Sequence, residues 1–201
     1  MEEFNFPDCI VQALVGKSLT NADYHLAGAG RAVAFIRMAA MALENLDNQQ
    51  IVAEYHAYAG ISATRTAIDA TGSWLRLLLA LDVKTLSQVD LKRQDYRQKI
   101  LAKAPGIQPF VESLGKLAGV VDEHRQRAQH REGLALIHHL PAAELAHPGG
   151  WYLAPNGLRG KRQENIRIPD LLKDWAERAE QDICKIVNAL ALQASGGTLP
   201  S

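Results

Sequence analysis

Three arginines and two histidines crowd one short stretch, Glu123-His124-Arg125-Gln126-Arg127-Ala128-Gln129-His130-Arg131-Glu132-Gly133. These residue types suit metal-free RNA cleavage. That reaction needs a base for the 2'-hydroxyl proton, a donor to the leaving 5'-oxygen, and fixed positive charge on the pentavalent phosphorane. An imidazole with an unperturbed pKa of about 6.5 serves as acid or base near neutrality. A guanidinium keeps its charge and grips phosphate oxygens bidentately. Spacing constrains the pairing, because five residues set Arg125 and His130 roughly 140° apart around a continuous helix. They converge if the last turn unwinds toward Gly133, or if a second protomer brings its own copy across a twofold axis. The dimer is the expectation. Arg127, His130 and Arg131 stand at i, i+3, i+4 and share a face, so Arg127 is the alternative to Arg125. A purely structural reading competes: a basic last turn complements the helix macrodipole, and Glu123 to Arg127 is an i, i+4 ion pair.

The elements that must position this stretch are helical. Tyr24, Ala27, Ala34, Phe35, Met38, Met41 and Leu43 predict a helix over about 21–47, capped by Asn21. Ile51, Tyr55, Tyr58, Ile61, Ile68, Leu75 and Leu79 recur at helical steps and predict a longer one over 50–81. On it, Arg65 and Asp69 form an i, i+4 ion pair, with a cleft-facing Arg65 as the alternative. A charged helix over 87–103, with Leu91, Tyr96, Ile100 and Leu101 as its apolar side, stops before Pro105-Gly106. The helix over 107–131 carries Ile107, Phe110, Leu114, Leu117 and Val121 on one stripe and the Arg/His cluster at its end. From Gly133 to Pro169 the period disappears among turn residues, with Trp151-Tyr152-Leu153 and Ile166-Arg167-Ile168 as a candidate hairpin. A last helix over 169–193 turns Leu172, Trp175, Ala179, Ile183, Ile186 and Leu190 inward. The expected fold is all-α, an antiparallel helical bundle of four to five long helices with a loop or small β-hairpin insertion before the last.

Composition narrows the function. Lys+Arg and Asp+Glu are equal at 22 each in 201 residues, so no global field draws the chain to nucleic acid or an anionic membrane, and RNA binding must be local. Arg159, Lys161 and Arg162 form a basic loop beside Trp151 and Tyr152, an arrangement that combines phosphate contacts with base stacking, or is simply a solvated loop. Cys9 and Cys184 fit no metal spacing and are expected as free thiols. Neither they nor His124, His138, His139 and His147 make a zinc site, so no metal or cofactor is expected. The N-terminus lacks signal-peptide character and no apolar window suggests a membrane span, which points to a cytoplasmic protein. P-loop, GxGxxG, GxSxG and HExxH motifs are absent from the sequence.

Read as Arg125, four residues, then His130, the cluster resembles the Arg-x4-6-His motif of the HEPN superfamily. The resemblance spans about 50–193 in outline, with residues 125–133 its specific part; residues 1–49 would be an N-terminal extension and 194–201 a flexible tail of one domain. It implies a four- or five-helix bundle, a homodimer with a shared cleft, and metal-independent RNA cleavage to a 2',3'-cyclic phosphate. By this resemblance Arg125 stabilises the transition state and His130 transfers protons, while Arg127 and Arg131 hold backbone phosphates. It also implies a toxin-antitoxin, defence or stress setting. Gln126 stands where the commonest pattern has Asn, Asp or His. That departure, with the neutral net charge, favours the alternative: a non-catalytic helical module that docks a partner protein such as an antitoxin or a nucleotidyltransferase.

Overall fold

The computed structural model describes residues 6–129, 136–139, 149–153 and 166–195, setting aside the side chains of 127–129, 137 and 139. The described residues form six α-helices: α1 (Asp8–Leu14), α2 (Asn21–Glu44), α3 (Gln50–Leu78), α4 (Gln94–Lys103), α5 (Gln108–Gln129) and α6 (Ile168–Ala194). Short 3₁₀ turns lie at Leu86–Gln88 and Pro105–Ile107. Before α6 comes a three-stranded antiparallel sheet, β1 (Leu136–His139), β2 (Gly150–Leu153) and β3 (Ile166–Arg167), in the order β1-β2-β3. The all-α bundle read from the sequence is the observed architecture. The candidate hairpin is also present, as Tyr152 opposite Arg167 and Leu153 opposite Ile166. Ile168 instead opens α6, and β1 adds a third strand that the sequence reading did not include.

Helix α2 starts where Thr20, not Asn21, supplies the cap. The Thr20 hydroxyl accepts from the Asp23 amide at 3.3 Å, and the Asp23 carboxylate accepts from the Thr20 amide at 2.8 Å. This reciprocal box satisfies two otherwise orphaned donors. Lys17 adds an ion pair to Asp23 at 2.7 Å. Burial works against the Asp23 charge, but Lys17 and the Thr20 bonds outweigh it and hold the carboxyl below its usual range.

The α2–α3 hairpin packs its inner side on α6. Gly60 is the closest approach: a Cβ there would lie 2.6 Å from Leu172 Cδ1 and 3.2 Å from Ala39 Cβ. The core side of α2 is Leu26, Ala29, Val33, Ile36 and Ala40. Tyr24, Phe35, Met38 and Met41, read from the sequence as the apolar stripe, are exposed, as are Ile51, Tyr55 and Tyr58 on α3. Trp74 and Trp175 are buried in the core while Tyr55 faces solvent. By length and composition α2 could cross a membrane, contrary to the sequence expectation, yet 61% of its apolar window is buried inside the bundle.

Helix α1, absent from the sequence reading, is tied to α6 by a Cys9–Cys184 disulfide with the two Cα atoms 5.5 Å apart. This corrects the expectation of free thiols. Residues 175 positions apart come together because α1 folds back over the α2–α6 groove, with Ile10 fully buried and Phe6 seated against Gly30.

Asp182 is a charged residue on the inward side of α6, only 8% exposed. Burial pushes its carboxyl up, and the Ser113 hydrogen bond, Lys185 and Arg178 offset this only in part. A carboxyl raised above its unfolded pKa stabilises the fold at low pH and loses that contribution as pH rises through the folded value. Asp182→Asn keeps the Ser113 bond without the buried charge. It is therefore expected to be more stable than wild type at pH 7, with the gap closing below the unfolded carboxyl pKa of about 3.9. Urea titrations at pH 3.5 and pH 7 measure this; a gap that is constant with pH would refute it.

Candidate functional site at the C-terminal end of α5

The site is built around a buried arginine. Arg65 lies on α3, with its side chain 10% exposed, and meets three carboxylates: Asp69 at 3.1 Å, Asp90 at 2.9 Å and Asp122 at 3.6 Å. Lys92 joins from outside, 3.2 Å from Asp122. The expected Arg65–Asp69 pair is thus present, as one edge of a larger cluster linking α3, the 89–93 loop and α5. Burial pushes the Asp69 carboxyl up more than Arg65 draws it down, and Asp90 and Asp122 add to the rise. The same three carboxylates hold the Arg65 guanidinium more firmly charged, against its own desolvation.

The loop that delivers Asp90 is fixed by its neighbours. Arg97 donates to the Leu91 and Lys92 carbonyls, each at 2.7 Å, and the Lys92 amide donates to Asp90 Oδ1 at 2.9 Å. Leu91 is fully buried between α3 and α5. Tyr96 pins the same corner by donating to the Gly72 carbonyl at 2.6 Å, with burial raising its hydroxyl pKa. Gly115 admits the loop: a Cβ there would sit 2.6 Å from the Leu91 carbonyl oxygen. A backbone atom cannot swing aside as a side chain can, so overpacking should outweigh the gain in helix propensity. Gly115→Ala is expected to cost about 1–2 kcal/mol in chemical denaturation; a stabilised variant would show that the loop yields freely.

These contacts set the direction of α5. Leu91 lies within reach of a side chain at both Gly72 and Gly115, while Arg65 meets Asp122. Helices α3 and α5 therefore run antiparallel at this contact. Arg125 follows Asp122 at i+3 on the same face, about 4.5 Å further along the axis. Its side chain is half-buried. On the other side His124 packs on the buried Trp175 ring of α6, centroids 5.4 Å apart. His138 likewise lies on Trp151, at 4.8 Å. These histidines pack against core indoles, and among the described residues no group of His, Cys, Asp or Glu could hold a metal ion.

Of the residues singled out from the sequence, Arg125 is placed. Arg127 lies on the last turns of α5, with its side chain outside the described residues. His130, Arg131, Arg159, Lys161 and Arg162 also lie outside them. What the sequence reading missed is Asp90, Lys92 and Asp122 around Arg65. The available signal was Arg65 itself, a cation on the inward side of α3 between Ile61 and Ile68, since a buried arginine needs anionic partners from elsewhere.

The chain matches no family model, no curated protein and no solved structure.

Proposed function

We propose that this protein is a HEPN-like, metal-independent endoribonuclease whose site lies at the C-terminal end of α5. The observation that supports this reading best is Arg125. It is half-buried, one turn beyond the Arg65–Asp122 contact. A guanidinium at this end of α5 supplies the fixed positive charge that a developing phosphorane needs. In the proposed reaction, His130 takes the 2'-hydroxyl proton and the 2'-oxygen attacks phosphorus. The phosphorus bond to the 5'-oxygen then breaks, leaving a 2',3'-cyclic phosphate and a 5'-hydroxyl that receives a proton. Arg125 stabilises the phosphorane, and Arg127, Arg131, Arg159, Lys161 and Arg162 bind the RNA backbone.

The setting proposed is cytoplasmic, in a homodimer of a toxin-antitoxin, defence or stress system. The Cys9–Cys184 bond weighs the other way, because such bonds persist in oxidising compartments. A second reading, a non-catalytic module docking an antitoxin or nucleotidyltransferase, draws support from the acid near Arg125. Three carboxylates against Arg65 and Lys92 leave a net negative cluster one turn away, which repels phosphate. Incubation with single-stranded and transfer RNA in EDTA separates the two. Fragments ending in 2',3'-cyclic phosphate support the nuclease, and intact RNA across dimer-supporting concentrations supports the module.

A further inference from the structure

The outer face of the α2–α3 hairpin, away from α6, carries few charges. On α2 the exposed side runs through Tyr24, Gly28, Arg31, Phe35, Met38 and Ala42. Its steps of four and three are those of a helix-packing seam, and Arg31 is its one charged member. The neighbouring side of α3 carries Tyr55, Ala59, Ser62 and Thr66 and, one turn further on, the partly exposed Asp69. Gly28 lies close enough to α3 that a Cβ there would touch Ala70, at 3.8 Å, so the two helices present one shallow continuous surface.

We infer that a second copy of this chain docks on this face, the two hairpins packing as a four-helix interface about a twofold axis. The exposed share is 60% for Tyr24, 53% for Phe35, 41% for Met38, 83% for Ile51 and 69% for Tyr55. At about 200 Å² for side chains of this size, that is roughly 600 Å² of mostly apolar surface. A standard interface takes about 600–1,000 Å² per partner, so the area suffices.

Charge decides in favour of a copy over a different partner. A face with one cation, Arg31, and one carboxylate, Asp69, selects no partner of a single charge sign, whereas it complements itself about a twofold axis without placing like charges in contact. With the axis between Phe35 and Met38, the two Arg31 side chains originate about 16 Å apart along the antiparallel helices, beyond the screening length in physiological salt. The phenylalanine and methionine of each α2 then pack on those of the other. This inference does not rest on the nuclease reading, since it concerns a face built from different residues.

Light scattering on the full chain after gel filtration tests it. Wild type is expected at twice the 22.0 kDa chain mass, and Phe35→Glu/Met38→Glu at the single-chain mass with an unchanged helical circular dichroism spectrum. Should that variant misfold, Tyr55→Lys on α3 decides the same question. A wild type that stays at 22.0 kDa up to tens of micromolar overturns the inference, as does a folded variant that remains dimeric. Monomeric wild type that sediments with phosphatidylglycerol vesicles overturns it in favour of a lipid surface.

Discussion

Arg65→Met is expected to cost about 3–4 kcal/mol of folding stability, and at about 2–4 °C per kcal/mol for a chain of this length the melting temperature should fall by about 10 °C. The cause is what remains. Methionine fills most of the volume, so the loss is not a cavity. It strands Asp69, Asp90 and Asp122 around an apolar side chain, with Lys92 the nearest remaining cation. Removing one member of a desolvated ion cluster costs far more than an exposed pair, because the partners keep their desolvation penalty and now repel one another. Their partial exposure keeps the figure below the upper end seen for deeper sites. Arg65→Lys keeps the charge but cannot span three carboxylates with a planar fork, so it should fall in between. Acid should shrink the deficit of the methionine variant, since protonated carboxyls no longer repel. Urea denaturation at pH 7 and pH 4 reads all of this; a loss under about 0.5 kcal/mol would mean that the cluster acts as a surface salt bridge.

The helices were legible because their pattern is physical. Apolar residues at three- and four-residue steps on 107–131 and 169–193 reappear as the buried sides of α5 and α6, including Leu114, Val121, Leu172, Trp175 and Ile183. On α2 the same rule chose the wrong side. That helix is apolar nearly all round, so periodicity carries little direction, and tertiary packing put small residues such as Ala29 and Ala40 inside while Phe35 and Met38 stayed out. Small residues let α2, α3 and α6 approach closely, as Gly60 and Ala39 do against Leu172. The disulfide was illegible for a different reason: spacing along the chain says nothing about two thiols that meet only through the docking of α1 on α6.

The candidate site was half legible. An Arg/His cluster at a helix end is visible in any reading of residues 124–131. The acidic cluster that fixes that end was not, because Asp90 lies on a loop and Asp122 on a different helix from Arg65. Only the antiparallel packing of α3 on α5 brings them together. The cluster supplies two things a motif cannot: a rigid anchor one turn before Arg125, and an adjacent negative field that any RNA must avoid. If the chain is a nuclease, its substrate approaches the end of α5 from the side away from Asp90.

That approach gives the largest expected effect. His130→Ala should lower metal-free RNA cleavage by about 10²–10⁴-fold, the range for losing a general acid-base group. Arg125→Ala should lower it by about 10²–10³-fold, the range for removing one donor to transition-state charge. Thermal melts of both variants should match wild type, because neither side chain belongs to the Arg65 cluster. Arg127→Ala separates two geometries: a loss equal to that of Arg125→Ala means both guanidiniums touch the phosphate, and a larger loss makes Arg127 the principal stabiliser. Mixing the two inactive proteins then asks whether the site is shared. If Arg125 of one protomer serves His130 of the other, re-associated mixtures should recover about a quarter of wild-type activity, since half the dimers are mixed and each carries one intact site. A site contained within one chain predicts no recovery. Phe35→Glu/Met38→Glu extends the same logic: a shared cleft closed by the α2–α3 interface makes that folded monomer inactive although every proposed catalytic residue is present. An active monomer would leave the dimer standing as an assembly and place Arg125 and His130 in one chain, with the α5 end unwinding past Gln129 to bring them together.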